Sequence, residues 1–413
     1  MKIRSITGFL APKNNLSDAA LAPLAKLVRE AAVAYKKEGF EVQTTRLATT
    51  PFPHWIKPLT KSRALEAAVA AEAAILRNGF GYISLGPALA KLPESYVFIP
   101  QLLKATKNTF FGGVIADSKD GINMSALRAC AEVIRQASRL EANGFANLRF
   151  AALANVPPGS PFFPAAYHSG TRPAFAIATQ AADLAVEAFE KARSVLEGSQ
   201  VLTASIEKQA KQIAKVGERL AKRSGVKFKG IDFSLAPFPT EAESLGTAFE
   251  RMGVPAVGMN GSLAAAAILT QAIDAADFPH TGFSGLLLPP LEDATLAKRA
   301  AEGSLTVNDL LIYSAVCGTG LDTVPLPGDS SAEQLAALLL DVAALALRLD
   351  KPLTARLMPI PGKKAGDETS FDFAYFTNSR VMELRAMGLE RALGASEIIL
   401  PAKKNRKKSL GQI

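Results

Sequence analysis

Short apolar runs of period two alternate along this chain with alanine-rich stretches of helical period, and that alternation restricts the fold more than any other feature. Strands are predicted at 2–10, 40–47, 80–85, 110–115, 148–153, 175–178, 231–235, 254–259, 283–288 and 354–358. Helices are predicted between them, at 17–39, 62–78, 93–107, 124–143, 181–197 and 203–224, then from 263, and at 292–302, 307–316 and 332–347. Helix starts and stops carry their usual residues: Ser17 or Asp18 can cap the first helix, and Gly39 ends it. Strands that alternate with helices pair largely in parallel, which gives an α/β class. No fixed-period repeat and no obvious linker divides the chain. A closed barrel or one large doubly wound sheet is the preferred architecture, with two fused lobes still open. The expected organisation is one domain over 1–400 and a basic, disordered tail over 401–413.

The net charge of +9 looks like a nucleic-acid signal until its distribution is read. Five of those charges, Lys403, Lys404, Arg406, Lys407 and Lys408, lie in a tail with no acid, which leaves +4 for the body. Such a tail reads as a solvated end. No aromatics interleave with its basic residues, so nucleic acid is not an expected partner. The cysteines, Cys130 and Cys317, form no disulfide framework and no thiolate zinc cluster, which points to a reducing compartment. The amino terminus lacks a signal-peptide core, and Asp341 and Arg348 break the most apolar run, Leu335 to Leu349, short of a membrane span. A cytoplasmic protein that makes no membrane contact is expected. Self-association is left open.

Loops after strands are where α/β proteins hold ligands. The stretch from Gly230 to Asp274 reads as two strand–loop–helix units. Ser234 lies at the first tip and Asn260, Gly261 and Ser262 at the second, ahead of an apolar helix whose free N–H groups favour an anion. The alternative is a tight turn in which Ser262 merely caps. Residues 155–170 form a long, proline-rich loop of the kind that is usually functional or a lid, and they carry His168. Cys317 precedes Gly318-Thr319-Gly320. With His168 as acid/base and Asp322 as orienting group it would make a nucleophile or acid, but it reads equally as a small core residue. Arg4 and Arg356 occupy strand positions between apolar residues, so each needs a buried carboxylate or an anionic ligand. No histidine pair has metal-ligand spacing, so no metal is expected, and no cofactor is specified.

Several blocks together resemble the uncharacterised family called domain of unknown function 711: IRSIT at Ile3–Thr7, SKDGINM at Ser118–Met124, PFFPAAYHSG at Pro161–Gly170, DFSLAPFP at Asp232–Pro239, VCGTGLDTVPLP at Val316–Pro327 and ARLMP at Ala355–Pro359. Gly253–Leu269 and Gly282–Pro289 add to the match. The resemblance implies a closed α/β barrel of about ten strands with surrounding helices, similar to pyruvate formate-lyase and related glycyl radical enzymes, in which a cysteine-bearing loop reaches the centre. Cys317 stands at the family's cysteine and His168 at its histidine before glycine. Asn123, Ser234 and Asp322 also match motif positions. Nothing after residue 362 resembles the glycyl radical loop, so radical catalysis is not expected. Asn260 stands where the family often carries histidine. The expected function is a cytosolic enzyme acting on a small anionic metabolite held by Asn123, Ser234, Asn260, Gly261, Ser262 and Arg356, with Cys317, His168 and Asp322 in catalytic roles. A non-catalytic metabolite sensor is the alternative.

Overall fold

In the computed structural model, which describes residues 1–399, strand pairing joins eleven strands into one sheet. They are β1 (Lys2–Leu10), β2 (Val42–Thr49), β3 (Tyr82–Ala88), β4 (Thr109–Asp117), β5 (Gly121–Asn123), β6 (Phe150–Ala154), β7 (Ala174–Gln180), β8 (Lys227–Asp232), β9 (Gly320–Pro327), β10 (Leu353–Ile360) and β11 (Ile398–Ile399). The main path runs β8-β7-β1-β2-β3-β4-β6-β10-β9, and β5 and β11 form a small appendage on β4. Strands β1, β2, β3, β4 and β6 are mutually parallel. The pair β7–β8 flanks them on one side and β10–β9 on the other, each antiparallel to its neighbour in the central group. The expected basic tail at 401–413 lies outside the described residues.

The central strands are covered on both sides, as parallel strands require. On one face Ile3, Ile6 and Ile83 pack with Leu24, Val28 and Ile75 of the helices Asp18–Lys37 and Lys61–Arg77. The other face meets the proline-rich loop between β6 and β7: Phe163 and Ala166 of that loop pack on Phe9, Ala48, Phe110 and Ala176. The Thr7 hydroxyl donates to the Pro161 carbonyl at 3.0 Å and that of Ser84 to Ala166 at 2.6 Å, which pins the loop across the sheet.

The sheet is not closed, and the barrel expected from the family resemblance is corrected on this point. Its end strands β8 and β9 do not pair with each other. Residues 280–286 lie between them and form no continuous ladder with β8, only two isolated bridges, Ile231 with His280 and, just past the strand, Leu235 with Leu286. On the other side the Leu286 amide reaches the Cys317 carbonyl at 3.3 Å and the Thr319 hydroxyl donates to the Leu286 carbonyl. The strand expected at 283–288 fails for a local reason. Positive φ at Gly282 (65°) and Ser284 (42°) turns the backbone out of the extended region, so no ladder can propagate.

A side chain holds this segment instead. The buried Asp232 carboxylate at the end of β8 accepts from the amides of Phe283 (2.7 Å) and Ser284 (2.8 Å) and from the Ser234 hydroxyl (2.6 Å). Gly282 permits the approach, since a Cβ there would sit 2.0 Å from an Asp232 oxygen.

The strand expected at 254–259 is a series of turns. Pro255 lacks an amide, and Gly258 (φ 102°) packs so closely on Ser304 that no side chain fits. Conversely, Gly320–Pro327, where no strand is predicted from the sequence, forms strand β9. The helices expected at 181–197 and 203–224 are Ala182–Glu190 and the 30-residue Val195–Ser224. No helix among the described residues is long and apolar enough to cross a membrane.

Burial pushes the Asp232 carboxyl up to about 6, against the lowering effect of its donors. Its folded pKa therefore exceeds the ordinary carboxyl value near 3.9. The sign follows: the folded state binds this proton more tightly, so the contribution to stability is complete below about pH 4 and is lost as pH rises through 6. Denaturant unfolding of Asp232→Asn across this range is expected to show a smaller pH slope than the parent. A loss of about 2 kcal/mol at neutral pH is expected from the weakened backbone contacts.

Candidate functional site

Alternate residues of a strand share a face, and three strands use that rule to bring polar side chains into one cavity. On β2 these are Thr44 and Arg46, on β10 Thr354 and Arg356, and Arg4 of β1 joins them. The cavity measures about 280 Å³ and opens where β1 to β4 begin. Its walls come from Phe162 and Phe163 of the proline-rich loop, Phe283 and Leu287 of the 280–288 segment, and Phe373 and Tyr375. The last two lie on an irregular strap, residues 366–381, whose ends are tied by reciprocal backbone bonds of 2.8 and 2.9 Å among Gly366, Asp367 and Val381.

A chain of buried charges crosses the cavity. Glu292 accepts from Arg4 Nη2 at 2.7 Å through one oxygen and from Arg356 Nη2 at 2.9 Å through the other. Arg356 also donates from Nε to Asp322 Oδ1. Burial raises the Asp322 carboxyl above its ordinary range; Arg356 opposes the shift and Glu292 reinforces it. Burial alone would lower Arg356, but Asp322 and Glu292 outweigh it, so the guanidinium is held above its ordinary value. Two cations and two carboxylates thus balance.

Arg46 is left over. Its Nε donates to Thr44 Oγ1 at 2.8 Å, while its two Nη groups have no hydrogen-bond partner among the described residues. The guanidinium lies over the rings of Phe163 (5.2 Å) and Tyr82 (5.8 Å). It is partly buried, and the surface that stays accessible faces the cavity. Burial, with the repulsion of Arg4 and Arg356, brings its pKa down to about 9, still a cation at neutral pH.

Asp322 is aimed by a distortion of its own strand. Leu321 pairs with Ala355 and Val324 with Leu357, so Asp322 and Thr323 together oppose the single residue Arg356. This is a β-bulge, which re-aims side chains. Thr323 adopts φ 41°, a left-handed backbone rare for a β-branched residue, and its buried hydroxyl lacks a partner. Strain of this kind costs about 1–3 kcal/mol and concentrates at functional positions.

Of the residues singled out from the sequence, Arg4, Asp322 and Arg356 meet in the cavity. The others lie elsewhere. Cys317 is buried at the end of the helix Val307–Cys317, its sulfur 3.7 Å from Thr319 Oγ1. A helix start, one of the settings that activate a thiol, is not what this position offers. His168 is buried against Phe9, with Nε2 3.1 Å from the Arg172 carbonyl and Nδ1 unpartnered. Burial lowers its pKa, the Arg172 bond opposes this, and Lys229 adds to the lowering. No hydrogen bond joins His168 to Cys317.

Asn123 caps the helix Met124–Ala137 through the Ala126 amide at 2.8 Å. Ser234 joins Asp232 to the Gly285 amide. Asn260 and Gly261 are exposed, while Ser262 closes its own turn onto Met259 and Gly258. The sequence reading missed Arg46 and Glu292. Arg46 stands in a visible strand, where the same need for a partner already noted for Arg4 would have flagged it. Glu292 follows Pro289-Pro290 and carries no local signal. Among the described residues no group of three His, Cys, Asp or Glu could hold a metal ion.

The family model described as Uncharacterised ACR (DUF711) matches residues 1–378. The chain belongs to the DUF711 family. It is similar to a UPF0210 protein of Pyrobaculum arsenaticum, 34% identical over 368 residues, which covers 84% of this chain and 80% of the relative. A UPF0210 protein of Acetivibrio thermocellus is 31% identical, with 84% and 80% covered, and one of Methanocaldococcus jannaschii 28% identical, with 87% and 83% covered. Arg4, Arg46, Glu292, Asp322 and Arg356 of this DUF711 chain all lie within the matched span.

Two outcomes follow from the geometry. Glu292→Gln uncouples Arg4 and Arg356 from their shared carboxylate and is expected to lower the free energy of unfolding by about 3 kcal/mol in urea titrations. Thr323→Val keeps the shape but removes the orphaned hydroxyl, and the same measurement is expected to show a gain of about 1 kcal/mol.

Proposed function

We propose that the DUF711 chain is an enzyme acting on a small anionic metabolite in the arginine-lined cavity, with Asp322 as the group that takes or gives a proton. The observation that carries this reading is Arg46, a cation with no carboxylate partner, set against two aromatic rings in an otherwise charge-balanced pocket. A partly desolvated cation without a counter-charge attracts one, and an anionic ligand supplies it. Arginine also presents a rigid fork that matches a carboxylate or phosphate.

Asp322 supports turnover rather than binding alone. Burial raises its carboxyl, as at many proton-transfer sites, and the backbone around it is strained. Glu292 and Arg356 hold it in place, so they act as positioning residues. Phe373 and Tyr375 of the strap help to line the cavity and limit access of water.

The test is a thermal-shift screen of anionic metabolites, followed by mass spectrometry of each compound that raises the melting temperature. The expected result is a ligand that the parent consumes, that Asp322→Asn binds but leaves intact, and that Arg46→Gln no longer binds. A ligand that the parent retains unchanged in every case would remove the enzymatic reading.

A further inference from the structure

We infer that the ligand of this cavity is a monocarboxylate with a flat aromatic body, its carboxylate on the free Nη edge of Arg46 and its body against the Phe110 and Phe163 rings. The inference rests on the function proposed above and names the class of molecule that the site takes.

Charge sets the head group. Arg4 and Arg356 are matched by Glu292 and Asp322, so a single positive charge remains for a ligand to neutralise. A second ligand charge would find no unmatched cation in this set to offset its desolvation. Inorganic phosphate, a mixture of mono- and dianion near neutral pH, is disfavoured on the same ground in its dianionic form. A neutral ligand would leave Arg46 as it is.

Shape sets the geometry. Thr44 Oγ1 occupies Nε, and the rings of Tyr82 and Phe163 lie against the guanidinium. What remains is the in-plane edge formed by the two Nη groups, which fits a carboxylate through two parallel hydrogen bonds.

Aromatic surface sets the body. Tyr82, Phe110 and Phe163 form a run of edge-on contacts, with ring centres 5.6 Å apart for the first pair and 5.3 Å for the second. Phe145, Phe283 and Phe373 line the same cavity. Rings so arranged accept another ring edge-on or offset, and the volume of about 280 Å³ suits a compact ligand.

The remaining charges beside the cavity leave this count unchanged. Arg149 is paired with Glu141 at 2.8 Å, and the exposed Lys107 lies 3.4 Å from the same carboxylate. The Glu72 carboxylate accepts from the Lys107 and Asn108 amides and acts on Arg149, so with Glu141 it balances both cations.

The experiment is isothermal titration of the full-length protein with benzoate and phenylacetate, compared with benzamide, acetate, succinate and inorganic phosphate. Arg46→Gln and Arg46→Lys are titrated beside the parent, and each variant's fold is checked by its thermal melt. The expected result is saturable binding of an aryl carboxylate at least tenfold tighter than any comparison compound. Arg46→Gln should weaken it at least tenfold, and Arg46→Lys, which keeps the charge but loses the fork, should fall between. Tighter binding of succinate, phosphate or acetate, still dependent on Arg46, would overturn the aryl monocarboxylate while leaving an anion site intact. Absence of any Arg46-dependent binding in folded variants would overturn both this inference and the anion-binding reading beneath it.

Discussion

Glu292 is the hinge of this molecule's electrostatics. It is one carboxylate shared by arginines on strands far apart in the sheet order, Arg4 on β1 and Arg356 on β10. Buried charges of this kind are stable only as a set, because removing one strands its partners in a medium that solvates them poorly. The set therefore fixes the separation of β1, β9 and β10 and keeps apolar side chains from filling the space among them. The cavity is what this arrangement leaves, and Arg46 sets its sign. The positions of Glu292 and of Asp322 in turn depend on two irregularities: the 280–288 segment held by Asp232, and the bulge in β9.

Most of the secondary structure was legible in the sequence, because period two and helical period separate cleanly in an alanine-rich chain. The misreadings have local physical causes. Phe283–Leu288 has the alternation of a strand, yet Gly282 and Ser284 take left-handed backbone. Val254–Met259 contains Pro255 and Gly258, which favour turns. The span from Gly320 reads as a loop because of its flanking glycines and of Pro325 and Pro327. It forms β9 nonetheless, which ends the sheet's pairing order, where proline is tolerated.

The site was harder to read, for a reason of geometry. Small polar residues at strand ends drew attention, but several of them here serve the backbone: Ser234 secures Gly285, Ser262 closes a turn, and Asn123 caps a helix. The charged residues of the cavity are scattered from Arg4 to Arg356, and only the register of β1, β2, β9 and β10 brings them together. A buried arginine in a strand is a readable sign that a partner exists. Which residue answers it is a property of the fold, as Glu292 shows.

The bulge at Asp322–Thr323 has a meaning beyond strain. Two residues opposite one shift the inside–outside phase of β9, so the positions after the bulge face as they do only because one extra residue has been inserted. The orientation of Asp322 is thus encoded by a count along the strand. A one-residue deletion in that turn of chain would restore regular pairing with Arg356 and re-phase the strand on one side of the deletion. In this protein the acidic group of the cavity depends on register as much as on chemical identity.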